Sequence, residues 1–100
     1  MKTTIKEENE LYVVYFDGRL DTAAAPETEK TVLPILEGKG RDIILDCSLL
    51  EYISSSGLRI FLSILKNAKT VDSKVRIRNI SEEIRSVFAI TGFTSLFEFI

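Results

Sequence analysis

Three serines and a glycine, Ser54-Ser55-Ser56-Gly57, stand between an apolar run, Asp42 to Cys47, and a strongly amphipathic stretch, Ser56 to Lys69. A helix beginning here presents hydroxyls to its own unpaired N–H groups. One serine suffices to cap such a helix, so capping is one reading of the segment. The other is chemical: a phosphate carried on a serine at this point is stabilised by free N–H groups and by the positive end of the helix dipole. With no Walker-type glycine loop and no histidine in the chain, the segment is equipped to receive a phosphoryl group rather than to transfer one.

The absent residue types exclude other chemistry. Without histidine there is no Ser-His-Asp or Cys-His system and no imidazole metal site. Lys66 and Lys69 lie turns away from the serines, so a lysine-activated serine nucleophile is disfavoured and the chain is read as no enzyme, with no cofactor and no metal. Cys47 is the single cysteine, which suits a reducing compartment. Its place at the end of an apolar run reads as packing. Thirteen basic residues against 15 acidic, well mixed, give a net charge of −2 and no footprint for nucleic acid. No apolar run reaches the roughly 20 residues of a membrane span, and the N-terminus has no signal-peptide core. The expectation is a cytoplasmic binding or regulatory module without membrane insertion.

The elements that must position the serines follow from periodicity. One hundred residues, 45% hydrophobic and 28% charged, make one domain, residues 1–100. A strand from about Ile5, a turn at Glu8-Asn9-Glu10 and a strand Leu11 to Phe16 ending at Asp17-Gly18 read as a hairpin. Ala23 to Leu36 reads as a helix capped by Asp21 or Thr22, with Pro26 in its first turn, Val32, Leu33, Ile35 and Leu36 inward, and a stop at Gly38-Lys39-Gly40. Pro34 falls inside it and threatens a bend or an early end. Asp42 to Cys47 reads as a central strand buried on both faces. Leu58, Phe61, Leu62, Leu65 and Ala68 mark the buried face of the next helix.

Val75, Ile77 and Asn79 alternate with Arg76 and Arg78, a strand whose arginines face solvent. Ser81 caps a short helix with acidic Glu82 and Glu83 and inward Ile84, Val87 and Phe88, ended by Gly92. Phe93 also reads as core, and a last strand is expected over Leu96 to Ile100. Strands alternating with helices after an initial hairpin predict an α/β fold, a mixed sheet of four to five strands with helices mainly on one face.

Three ordered stretches resemble one family, the STAS domains, and within it the bacterial anti-sigma factor antagonists. Gly18-Arg19-Leu20-Asp21 is similar to the family's Gly-x-Leu-Asp. Asp46 through Gly57-Leu58 is similar to its strand, loop and Asp-Ser-Ser/Thr-Gly-Leu segment. Ser81 to Phe93, with Ile84-Arg85, Val87-Phe88 and Thr91-Gly92-Phe93, is similar to its late helix. The resemblance implies phosphorylation of Ser55, with Ser56 at the following Ser/Thr position and Gly57 at the close-packed helix start. The family's aspartate falls on Ser54, a departure that leaves Ser54 and Ser56 as neighbouring, less favoured acceptors.

It further implies a partner switch. The unphosphorylated chain binds an anti-sigma factor that is also a serine kinase, freeing a sigma factor; phosphorylation releases it and a serine phosphatase resets it. Asp21, Thr22, Ser54, Ser56, Gly57 and Arg59 are the expected partner-binding positions, Asp21, Thr22 and Arg59 having capping or plain surface roles as alternatives. The alternative function is a STAS scaffold, or a transporter-associated STAS subunit, that docks without being phosphorylated.

Overall fold

The structure, a computed structural model, describes residues 1–36 and 41–100, so the expected stop at Gly38-Lys39-Gly40 lies outside the described residues. Strand β1 (Lys2–Glu8) and strand β2 (Leu11–Leu20) form an antiparallel hairpin with Glu8 opposite Leu11. Its two turn residues, Asn9 and Glu10, both have positive φ, 51° and 66°, which matches the twist of the flanking strands. Helix α1 (Ala25–Leu36), strand β3 (Ile43–Ile53), helix α2 (Ser55–Thr70), strand β4 (Val75–Arg78), helix α3 (Glu82–Ile90), a 3-10 turn (Thr94–Leu96) and strand β5 (Glu98–Phe99) follow.

The five strands are ordered β1-β2-β3-β4-β5, with β2 to β5 parallel. Each parallel step advances in the same direction, and right-handed crossovers then set all three helices on one face. That face carries the core. Val14, Phe16, Leu45, Cys47 and Ile77 of the sheet meet Ile60, Phe61, Ile64, Ile84 and Phe88 of the helices. The Phe61 ring centroid lies 4.9 Å from that of Phe16 and 5.9 Å from that of Phe88. The mixed sheet with helices on one face is the fold expected from the alternation of strand and helix patterns.

Several boundaries differ from the sequence reading, each for a local reason. Strand β2 does not close at Asp17-Gly18 but continues to Leu20: extra residues on β3 shift the register twice, the second time beside Gly18 at φ 109°, and the strands stay paired. Strand β3 likewise runs to Ile53 rather than Cys47, with Leu50 and Ile53 buried between exposed Ser48, Leu49, Glu51 and Tyr52. Helix α1 begins at Ala25, since Asp21 holds Thr22–Ala24 in a turn first. It passes through Pro34, which is exposed. Leu33 is 49% exposed, while Thr28 takes a buried place on the inner face. Leu96 belongs to the 3-10 turn, and β5 is only Glu98–Phe99. Asn79 lies beyond β4 with φ 59° and is exposed, and Phe93 is half-buried.

Candidate functional site

The lengthened strands deliver the serines. Where β2 and β3 end together, the Ser54 N–H donates to the Leu20 carbonyl at 2.9 Å, which fixes the start of α2 against the end of β2. Ser54 is extended (φ −92°, ψ 174°), and its Oγ accepts from the Gly57 N–H at 3.2 Å while its carbonyl accepts from the Leu58 N–H at 2.9 Å. Ser54 is therefore the N-cap, buried and with its hydroxyl committed. Aspartate and serine are comparable caps, which explains in physical terms how serine can stand where the family pattern has aspartate.

Gly57 is where the helix presses on the sheet. A Cβ there would come within 2.7 Å of Leu20 Cγ and 2.8 Å of Ile53 Cγ1, so only glycine lets the helix approach this closely. Ser55 is exposed at the first position of α2, and Ser56 is half-buried at the second. The N–H groups of both have no intrahelical partner by position, and the first turn contains no acidic residue.

Asp21 and Thr22 approach from the other side. Asp21 Oδ1 accepts from the Ala24 N–H at 2.9 Å, so its carboxylate caps the entry to α1. Thr22 is exposed and, with Pro26 and Glu29, forms one wall of a groove of about 430 Å³. Ser56, Arg59 and Ser63 of α2 form the other. Arg59 is exposed and makes no ion pair among the described residues. Of the expected positions, Thr22, Ser56 and Arg59 thus share one accessible groove beside Ser55. Ser54 and Gly57 are buried and act by holding the helix start.

A second polar cluster, on the sheet face away from the helices, was not legible as a unit in the sequence. Asp46, 3% exposed, accepts from the Ser48 hydroxyl (2.6 Å), the Ser48 N–H (2.9 Å), Arg78 Nε (2.8 Å) and Asn79 Nδ2 (3.3 Å). Arg78 Nη2 donates to Tyr15 Oη at 3.3 Å, and Tyr15 Oη donates to Glu8 at 2.9 Å. Arg78 is thus no free surface arginine, in contrast to its sequence reading; the only hint was an aspartate inside an apolar run. Burial pushes the Asp46 pKa up, but the Ser48 hydroxyl, the Ser48 N–H and Arg78 together hold it below the ordinary carboxylate value. The Tyr15 phenol is raised, first by its hydrogen bond to Glu8. Next to Asp46, burial and then the carboxylate charge push the Cys47 thiol up to about 12. Such a thiol is unreactive near neutral pH.

Comparison with known proteins bears on the fold and the family. The model of the STAS domain matches residues 2–100. BtrV of Bordetella bronchiseptica is 30% identical over 97 residues, which cover 97% of this chain and 84% of that protein. The anti-sigma-B factor antagonist of Staphylococcus aureus is 32% identical over 89 residues, 89% of this chain and 82% of that one. Among solved structures, the anti-sigma factor antagonist SpoIIAA in its unphosphorylated form superposes with a TM-score of 0.76 at 19% identity, over 99% of this chain and 87% of that one. The Bacillus SpoIIAA in its phosphorylated form gives 0.75 at 20%, over 99% and 91%. With a family match from residue 2 to residue 100 and solved structures of the same fold, the chain belongs to the STAS domain family.

Proposed function

We propose that the chain is an anti-sigma factor antagonist that works by partner switching and is itself no enzyme. In this reading the groove end, Thr22, Ser55, Ser56 and Arg59, docks onto an anti-sigma factor that is also an ATP-dependent serine kinase, and a sigma factor is released. The kinase phosphorylates Ser55, the complex separates, and a serine phosphatase restores the antagonist. The chain then acts as one domain in the cytoplasm. No helix among the described residues is long and apolar enough to cross a membrane, and no described cluster of acidic residues and cysteine could hold a metal ion.

The observation that carries the proposal is the division of labour among the serines. Ser54 is buried with its hydroxyl bonded to the Gly57 N–H, whereas Ser55 is exposed at the helix start beside the groove. The names of the relatives support the antagonist role, and a phosphorylated form is on record for SpoIIAA. A dianion placed in a docked, partly desolvated contact is costly unless a cation meets it, so phosphorylation at this position separates the partners.

The test is intact mass after incubation with ATP and a co-encoded anti-sigma kinase, for the wild type and Ser55→Ala. The expected result is a gain of about 80 Da that is lost in the variant. A gain that survives Ser55→Ala moves the acceptor to Ser56 or Ser54. No gain with any such kinase leaves the alternative, a STAS module that docks without phosphorylation.

A further inference from the structure

We propose that β1 is a self-recognition edge through which two copies of this chain pair, joining their sheets into one of ten strands. Among the described residues strand β1 has a neighbour on one side only, which leaves its outer row of backbone groups to take another strand. At seven residues it is the longer edge; β5 at the opposite margin has two.

The side chains choose both the occupant and the register. Lys2, Thr4, Lys6 and Glu8 lie on the open face, since Thr4 stands opposite Tyr15. Thr3, Ile5 and Glu7 lie on the helix face, since Ile5 stands opposite Val14. A two-fold axis normal to the sheet keeps the helices of both copies on the same side. It therefore requires open-face residues to meet open-face residues. Centred on Ile5, the pairing sets Lys2 against Glu8 twice, Thr4 against Lys6, Thr3 against Glu7 and Ile5 against its own copy. A shift of the axis to Thr4 sets Lys2 against Lys6, and a shift to Lys6 sets that lysine against itself. Only the pairing centred on Ile5 uses all seven residues and opposes unlike charges, and directly opposed like charges are destabilising.

Charges on an edge normally discourage strand addition. Here they discourage strangers and admit the chain's own copy, which is how specificity is built from repulsive alternatives. Lys2 makes no ion pair among the described residues, and Lys6 lies over the Tyr15 ring at 5.4 Å. Glu8 keeps an oxygen for Lys2 while accepting from Tyr15 with the other. Because the axis lies between two antiparallel β1 strands, the two serine ends point to opposite poles and both stay open.

Sedimentation equilibrium on the unmodified chain tests this. The expected result is a reversible monomer–dimer equilibrium that Lys2→Glu weakens roughly tenfold, because two attractive pairs per dimer become repulsive. The exchange variant Lys2→Glu/Glu8→Lys, with the same charges in swapped places, restores it. A chain still monomeric at about 1 mM overturns the proposal, as does a dimer indifferent to Lys2→Glu or one the exchange variant fails to restore.

Discussion

Gly57 and Ser54 bear the sharpest predictions at the scale of single residues. Gly57→Ala forces a methyl group against Leu20 and Ile53, both buried, so the chain should lose about 1–3 kcal/mol of stability in urea titration. Ser55 phosphorylation should slow with it, because the helix start must move. Ser54→Ala removes the cap and should cost about 1 kcal/mol, whereas Ser54→Asp should lie within a few tenths of the wild type. If Ser54→Asp is as damaging as Ser54→Ala, the cap does not govern this position. The sequence makes a capping serine legible, but all three serines satisfy the preference equally. What selects Ser54 is the bond from its N–H to the Leu20 carbonyl, a contact between residues 34 positions apart that no local pattern encodes. Thr22 and Arg59 show the same limit: the resemblance names both as partner contacts, with capping and plain surface roles as alternatives, but only the approach of α1 to α2 makes them walls of one groove.

At the scale of elements, the length of β3 decides where the site stands. Its continuation past Cys47 interrupts the apolar run with Ser48 and Glu51 and leaves Leu49 exposed, which is why periodicity ends the strand six residues early. The Asp46 cluster holds this stretch: the carboxylate ties Ser48 at the irregular step to Arg78 and Asn79 at the end of β4. The Asp46 pKa is depressed in the folded state. Its contribution is therefore fully present above the unfolded value, about 3.9, and is lost as pH falls through the lower folded value. Asp46→Asn should cost about 2 kcal/mol at pH 7, below the range for breaking a fully buried pair because the Arg78 side chain remains 31% exposed. Below pH 4 the two proteins should converge. Chemical denaturation at a series of pH values checks this, and a variant whose deficit persists undiminished below the folded pKa would show that Asp46 acts by shape alone. The thiol next door gives a second readout: with its pKa near 12, Cys47 should resist thiol reagents at pH 8 until the sheet opens.

For the molecule as a whole, the alternation of elements made the architecture legible, because right-handed crossovers leave few ways to arrange one hairpin and three helices. The extent of β5 was not legible, since a two-residue strand is defined by its bonds to β4 rather than by its own pattern. The construction of the serine end bears on how a phosphate acts there. The serine end is built from the bonded termini of β2 and β3, with Gly57 packed against Leu20 and Ile53. A phosphate on exposed Ser55 changes the net charge from −2 to about −4 at a helix start whose dipole favours negative charge. It thus alters the surface without needing a new fold. The midpoint of thermal unfolding should move by no more than a few degrees, while affinity for the anti-sigma partner falls on the order of a hundredfold, about 2.7 kcal/mol. Backbone amide shifts between the two forms should be confined to Leu20–Thr22, the first turns of α2 and the facing wall of α1. Shifts of similar size in β1, β4 or α3 would mean that the phosphate acts through a conformational change, and the docking account would fail.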